Sequence, residues 1–269
     1  MIFVKGYGQM CNNILQYAHI YAWGRENKIK VISMRFAYKY QYFELCNRPY
    51  HNWFVYLFAK MLIKLHLIKH LWMELPEEIT PEDVEHLKHD KLIAISGWSF
   101  RHPDLFFKYE SEIRRMFEFK DKIKIPVNNF FKTCEPSDIR LAVHIRRGDY
   151  ATFQGGKFFY NDDTYIRLIN EFIALFPDKK VSVFICTNDK MLNLPSYKQQ
   201  ISAPVHLFRG SEAEDLYMLS QCDYIMGSKS TFSLVASFYR HVPIYHIVDK
   251  DKTLTKDCFC HFEDLFMSV

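Results

Sequence analysis

From residue 140 onward, short apolar runs alternate with amphipathic helical patterns, and this rhythm constrains the fold more than any other feature of the chain. Strands are expected near 140–145, 181–186, 204–208, 223–227 and 243–248, with helices near 162–176, 212–221 and 229–239. A helix between two strands returns the chain to the end where it began, so such strands pair in parallel. The expected class is therefore α/β, with helices on both faces of a parallel sheet and ligands bound at the carboxyl ends of its strands.

The first half is less regular. A strand at 1–5, a helix from about Asn12 to Glu26 and a strand at 30–34 form a βαβ opening. One long apolar helix at 53–73, a short helix opened by Thr80 and Pro81, a strand at 91–97 and a helix over 104–118 follow. Between 120 and 138 the chain turns polar and carries two prolines, which predicts a boundary and domains of 1–135 and 136–269.

Composition narrows the partners. A formal charge of +4 with no long run of lysine and arginine argues against nucleic acid, and leaves a small anion as a ligand. Seven cysteines, an odd number, argue against a disulfide framework and for a reducing compartment. Cys258 and Cys260 form a CxC pair without a second pair at zinc spacing, so they read as ordinary thiols and no metal is expected. The opening MIFVKGYGQM lacks the features of a signal peptide. Segment 53–73 is long enough to span a bilayer, but Lys60, Lys64 and Lys69 fall on different sides of a helix. It reads instead as a mostly buried helix with lysine tips in water, or as one that touches a membrane surface or a partner. The expected location is the cytoplasm, with peripheral contact at the inner membrane through this segment.

Charge is concentrated in RLAVHIRRGDYATFQGG, residues 140–156, where an apolar strand delivers Arg146, Arg147 and Asp149 to its carboxyl end. A guanidinium there can hold a phosphate through two parallel hydrogen bonds, or it can be held by carboxylates; spacing alone leaves both readings open. The tripeptide Arg147-Gly148-Asp149 carries too little information to indicate adhesion. At GSKSTFSLVASFY, residues 227–239, a strand runs into hydroxyl residues that open a helix, whose N-terminal N–H groups suit an anion or are simply capped by Ser228 or Ser230. Asp189 follows another strand. Asp215 lies on a helix before the next, placed to accept from a base or ribose, or solvated at a helix start.

HIRRGDY, residues 144–150, together with CNNILQYA at 11–18, DLYMLSQC at 215–222 and STFSLV at 230–235, resembles the bacterial α-1,2-fucosyltransferases of glycosyltransferase family 11 within the HxRRGDY fucosyltransferases. The chain departs from that pattern at Leu234 and Val235, where paired tryptophans are common, at Lys229, and around Gly6 and Gly8. Segment 35–135 carries no matching motif.

The resemblance implies a GT-B arrangement, two Rossmann-like domains with parallel sheets and a cleft between them. Domain 1–135 would face the acceptor and 136–269 would bind the nucleotide sugar. It implies an inverting, metal-independent transfer of fucose from GDP-fucose to a glycan hydroxyl, most closely α-1,2 to galactose, with GDP-fucose as co-substrate and no cofactor. Arg146 would neutralise the β-phosphate, and His144 and Asp215 would face guanine. Arg147 would brace the loop, while Asp189, Ser230, Thr231 and Phe232 would line the donor pocket and Asn12 would join the substrate contacts. Asp149 is the nearest general-base candidate by sequence, though an acid beside two arginines has lowered basicity. Two other functions are weighed against this one. Asp249-Lys250-Asp251 offers the DxD of a metal-dependent glycosyltransferase, and the Leu234 and Val235 replacements suit a non-catalytic module that holds a nucleotide sugar or glycan.

Overall fold

A computed structural model describes residues 1–268 and divides the chain into two compact units, Met1–Lys120 and the residues from Asp121 onward. The division falls at the start of the polar stretch 120–138, not at 135. That stretch forms a helix of the second unit with Pro126 inside it, where the ring removes one intrahelical hydrogen bond but leaves Ile123 and Val127 buried.

The first unit runs β1 (Ile2–Val4), α1 (Met10–Glu26), β2 (Val31–Ser33), α2 (Trp53–Lys64), β3 (Lys69–Trp72), α3 (Pro81–His89), β4 (Ile93–Ser96), α4 (Pro103–Lys108) and α5 (Glu110–Met116). Its four strands are parallel in the order β2-β1-β4-β3. The expected single helix at 53–73 is corrected: α2 ends at Lys64, His66 adopts a left-handed φ of 55°, and the remainder pairs with β4 as an edge strand. The polar residues of this segment, Lys60, Lys64, His66, Lys69 and His70, set no period that separates helix from strand, so the break was invisible in sequence. The segment is not mostly buried either, since within α2 only Ala59 and Leu62 are. The helix expected over 104–118 is two short ones, α4 and α5, joined at Tyr109.

The second unit runs α6 (Asp121–Thr133), β5 (Ile139–Ile145), α7 (Asp162–Ala174), β6 (Val181–Thr187), α8 (Leu194–Gln200), β7 (Val205–Leu207), α9 (Glu212–Ser220), β8 (Tyr224–Ser228), α10 (Thr231–Arg240), β9 (Ile244–Ile247) and α11 (Phe262–Leu265). All five strands are parallel, in the order β7-β6-β5-β8-β9. The chain first winds outward from β5 through β6 to β7, then returns to β8 and winds the other way. The winding therefore reverses between β5 and β8, and at such a switch point the loops at the carboxyl ends separate and leave a crevice for a ligand. Strand β5 is buried from Leu141 to Ile145, which explains its apolar run. Gly227 of β8 lies so close to β5 that a Cβ there would meet the His144 carbonyl oxygen at 2.2 Å, so only glycine fits.

Candidate functional site

The HIRRGDY motif straddles the end of β5, and the structure gives its two arginines different surroundings. Arg147 donates to Asp162 at the start of α7 and to Asp189 after β6, the latter at 3.2 Å. Its backbone exchanges two bonds with the side-chain amide of Asn188, at 2.8 and 3.0 Å. Asp162 also accepts from the Tyr197 hydroxyl at 2.8 Å. Arg146, by contrast, meets one carboxylate, Asp149, at 3.0 Å, and Asp149 is itself 60% exposed on its side chain. The two readings left open by spacing are thus divided: Arg147 is held by carboxylates, and Arg146 keeps donor capacity for an incoming anion.

Asp189 is engaged on both oxygens, by Arg147 and by the Met191 backbone N–H at 2.8 Å. In this arrangement it orients the loop. Gly148 and Asp149 are exposed while Arg147 lies between its carboxylates, so the Arg-Gly-Asp tripeptide is not presented as a unit.

Tyr150 links the two loops that flank the switch point. Its hydroxyl donates to the Lys229 carbonyl oxygen at 2.8 Å and also interacts with the Ser230 side chain. Ser230 is the N-cap of α10 and accepts from the Phe232 N–H at 3.1 Å, whereas Ser228 pairs with Tyr165 at 2.8 Å. Thr231 and Phe232 follow in the first turn of α10, partly exposed. The Phe232 ring lies 5.1 Å from the imidazole of His144.

His144 is buried, and desolvation, helped by the Arg146 guanidinium and by His246, lowers its pKa to about 3. The ring is therefore neutral at any working pH, and its Nδ1 has no hydrogen-bond partner among the described residues. It sits in register with Cys186 of β6. The Cys186 thiol donates to Asp215. The Asp215 carboxylate also accepts from the Gly210 N–H at 3.1 Å. Burial raises the pKa of Asp215 to about 6, against the opposing pull of the Gly210 and Cys186 hydrogen bonds. A neutral imidazole and a carboxyl group that titrates near 6 therefore stand near the carboxyl ends of the central strands, beside an arginine and a helix N-terminus.

The model of glycosyl transferase family 11 matches residues 52–257, well over half of the chain. The chain belongs to glycosyl transferase family 11. No curated protein sequence matches it. Among solved structures it resembles a mutant of Arabidopsis thaliana FUT1 in complex with GDP, at 12% identity over 97% of this chain and 73% of that one, with a TM-score of 0.63. It also resembles POFUT1 in complex with GDP-fucose, at 10% identity over 94% and 95% with a TM-score of 0.56. A third likeness is to NodZ α-1,6-fucosyltransferase soaked with GDP-fucose, at 12% identity over 91% and 94% with a TM-score of 0.57. NodZ from Bradyrhizobium is likewise similar, at 13% identity over 91% and 94% with a TM-score of 0.56. Identities this low show the fold alone. With two parallel-sheet units, it is GT-B-like.

Within this family 11 chain the second unit gathers His144, Arg146, Asp149, Asp215, Ser230, Thr231 and Phe232 at one end of its sheet, with Arg147 and Asp189 behind them. Asn12 belongs to α1 of the first unit, beside Gly8. The residues next to it in the CNNILQYA motif hold the backbone. Asn13 donates to the carbonyls of Tyr7, Gly8 and Gln9, Gln16 to that of Gly97, and the Tyr17 hydroxyl to that of Val31. Sequence reasoning missed Tyr150, Cys186, Asn188 and Asp162. Tyr150 was legible as the last letter of the motif; the others carry no local signal, because their partners are distant in sequence.

Proposed function

We propose that the protein is an inverting fucosyltransferase that moves fucose from GDP-fucose to a glycan hydroxyl without a metal, with α-1,2 linkage to galactose favoured by the motif resemblance. The observation that carries this reading is Arg146 at the switch point, a guanidinium with one exposed acidic partner. In the transfer, the acceptor oxygen attacks C1 of fucose from the face opposite GDP. The C1–oxygen bond to the β-phosphate breaks, and the acceptor proton passes to a base. Inversion converts the β-linked donor into an α-fucoside. Negative charge collects on the departing diphosphate, and a cation already aimed there stabilises the transition state. Asp215 would accept from the guanine edge, with neutral His144 beside it, and the N-terminus of α10 would support the phosphates.

We assign donor binding to the second unit and the acceptor to the first. At the carboxyl ends of the first unit's strands, Tyr7 stacks with Trp98 at 5.9 Å and Arg101 lies 3.9 Å over Trp98. Glu74 accepts from the Tyr7 hydroxyl and the Trp72 indole, each at 3.1 Å. Aromatic faces beside charged hydrogen-bonding groups suit a sugar ring, which has apolar faces and a polar rim. Leu234 and Val235, the departures that suit a non-catalytic module, are fully buried, so they alter packing rather than a ligand surface. Asp249 and Asp251 form an exposed turn after β9, with Asp249 accepting from the Asp251 N–H at 2.9 Å and Lys250 bound to Asp251.

Incubation of purified protein with GDP-fucose and a panel of β-galactosides, with chelator present, tests donor, activity and acceptor together. Fucosylated product with release of GDP is expected. GDP binding without turnover would leave only a nucleotide-binding module, and loss of transfer in chelator would point to a metal.

A further inference from the structure

Helix α2 is apolar on two sides. Val55, Ala59 and Ile63 face the sheet, where Ala59 packs in a cluster with Phe3, Ile32, Met34 and Ala94. On the opposite arc Phe54, Leu57, Phe58, Met61 and Leu65 stand in solvent, with Phe54 78% and Leu65 57% exposed. At the helical angle per residue these five cover an arc of roughly 100°, with Lys60, Lys64 and Trp53 along one margin. An exposed apolar surface of this kind is rare on a protein that meets only water.

Charge indicates what covers it. Residues 45–73 contain no Asp or Glu, and four cations, Arg48, Lys60, Lys64 and Lys69. Of these, Lys69 reaches Asp83 at 3.7 Å, while Lys60 lies over the Tyr56 ring at 5.7 Å. The segment that leads into α2 supplies Arg48, Tyr50 and His51 to a cavity of about 450 Å³, which Arg25, Lys28 and Lys30 also line. Glu112 engages Arg25 there at 3.0 Å, and Lys30 sits on the Tyr50 ring. A second copy of the chain is a poor occupant, because a twofold interface would set Lys60 and Lys64 near their own equivalents. No helix among the described residues is long and apolar enough to cross a membrane. The twelve residues of α2 extend about 18 Å.

We propose that the outer face of α2 docks in the plane of an anionic bilayer surface, its aromatic and aliphatic side chains entering the headgroup boundary while Lys60, Lys64 and the cations before Trp53 face lipid phosphates. The acceptor-side unit would then work next to the membrane. This inference stands apart from the donor chemistry, which it does not require.

Co-sedimentation of the full chain with phosphatidylcholine vesicles, with and without phosphatidylglycerol, tests it. Wild type should pellet with the anionic vesicles, remain in solution with the neutral ones, and be released by salt. Phe54→Ser combined with Phe58→Ser should abolish pelleting. Lys60→Glu and Lys64→Glu should each weaken it by about fivefold or more. Because these side chains are exposed, unchanged circular dichroism and melting should accompany the loss. Wild type that stays in solution with anionic vesicles, or serine variants that still pellet, would overturn the proposal. So would a lipid-free dimer by analytical ultracentrifugation that the serine variants dissociate, since a second copy would then be the occupant.

Discussion

Tyr150 donates its hydroxyl hydrogen to the carbonyl oxygen of Lys229 across 2.8 Å, and this bond ties the loop after β5 to the loop after β8. These loops belong to the strands between which the sheet's winding reverses, so the bond joins the segment that carries Arg146 to the one that opens α10. Tyr150→Phe removes only the hydroxyl. It should cost about 1 kcal/mol of stability, and somewhat more if the Lys229 carbonyl is left without a partner. GDP affinity should fall several-fold with it. Chemical denaturation and isothermal titration on the same preparation measure both, and an affinity unchanged at reduced stability would show that the link does not shape the donor site.

Arg147 should behave as a structural residue. Its side chain is 16% exposed and bonds to two carboxylates, so Arg147→Ala strands Asp162 and Asp189 beside each other. Breaking a buried pair from one side typically costs about 3–5 kcal/mol, and the partial exposure here points to the lower end. A fall in thermal stability larger than that of Arg146→Ala is expected. Arg147→Lys should restore only part of it, because an ammonium cannot reproduce the geometry of the fork.

How much of this could be read in the sequence depended on the distance between partners. Strands β5 to β9 were legible because parallel strands buried on both faces read as continuous apolar runs, and those runs are separated by amphipathic helices. Short α8 lacked such a pattern and was not anticipated. The same apolarity misled at 53–73, where helix α2, a turn at His66 and edge strand β3 share one composition. At the site, the motif marked where the arginines stand but not what each does. Arg147 finds Asp162 and Asp189 fifteen and forty-two residues away, and only the sheet brings them together. The raised pKa of Asp215 likewise depends on burial beside Cys186 of β6, which no local pattern announces.

Asp215 makes the site pH-dependent in two opposite senses. Its pKa rises from 3.8 to about 6 on folding, so the folded state holds that proton more tightly than the unfolded state does. The resulting destabilisation is absent below the lower value, grows between the two, and is complete above the upper one. Asp215→Asn should therefore stabilise the protein at pH 7, by an amount on the order of 2 kcal/mol, and have little effect at pH 4. Binding runs the other way. If the carboxylate accepts from the guanine edge, wild-type GDP affinity should decline as pH drops below about 6, and Asp215→Asn should bind GDP weakly at every pH. His144, with its pKa near 3, should contribute no inflection above pH 5. Thermal melts and GDP titrations across this range give both curves.

Arg146 and Asp149 decide the mechanism. If Arg146 stabilises the departing diphosphate, Arg146→Ala should lower kcat by about a hundredfold or more, by analogy with the loss of one oxyanion donor. Arg146→Lys should recover little, since a point charge lacks the two-pronged grip. The fold should survive both changes, because the carboxylate that they release among the described residues is the exposed one of Asp149. Asp149 itself can act as a base or as a brace. An exposed ion pair is worth at most about 1 kcal/mol, so a brace lost in Asp149→Asn should weaken GDP binding by no more than about fivefold and reduce kcat in parallel. A base lost at the same position would leave GDP affinity intact and abolish transfer to the acceptor. The 3.0 Å contact with Arg146 favours the brace, since it already commits one Asp149 oxygen to the guanidinium. Single-turnover kinetics and GDP titration on the three variants separate these outcomes. An Arg146→Ala enzyme with normal turnover would remove the electrostatic step on which the proposed reaction depends.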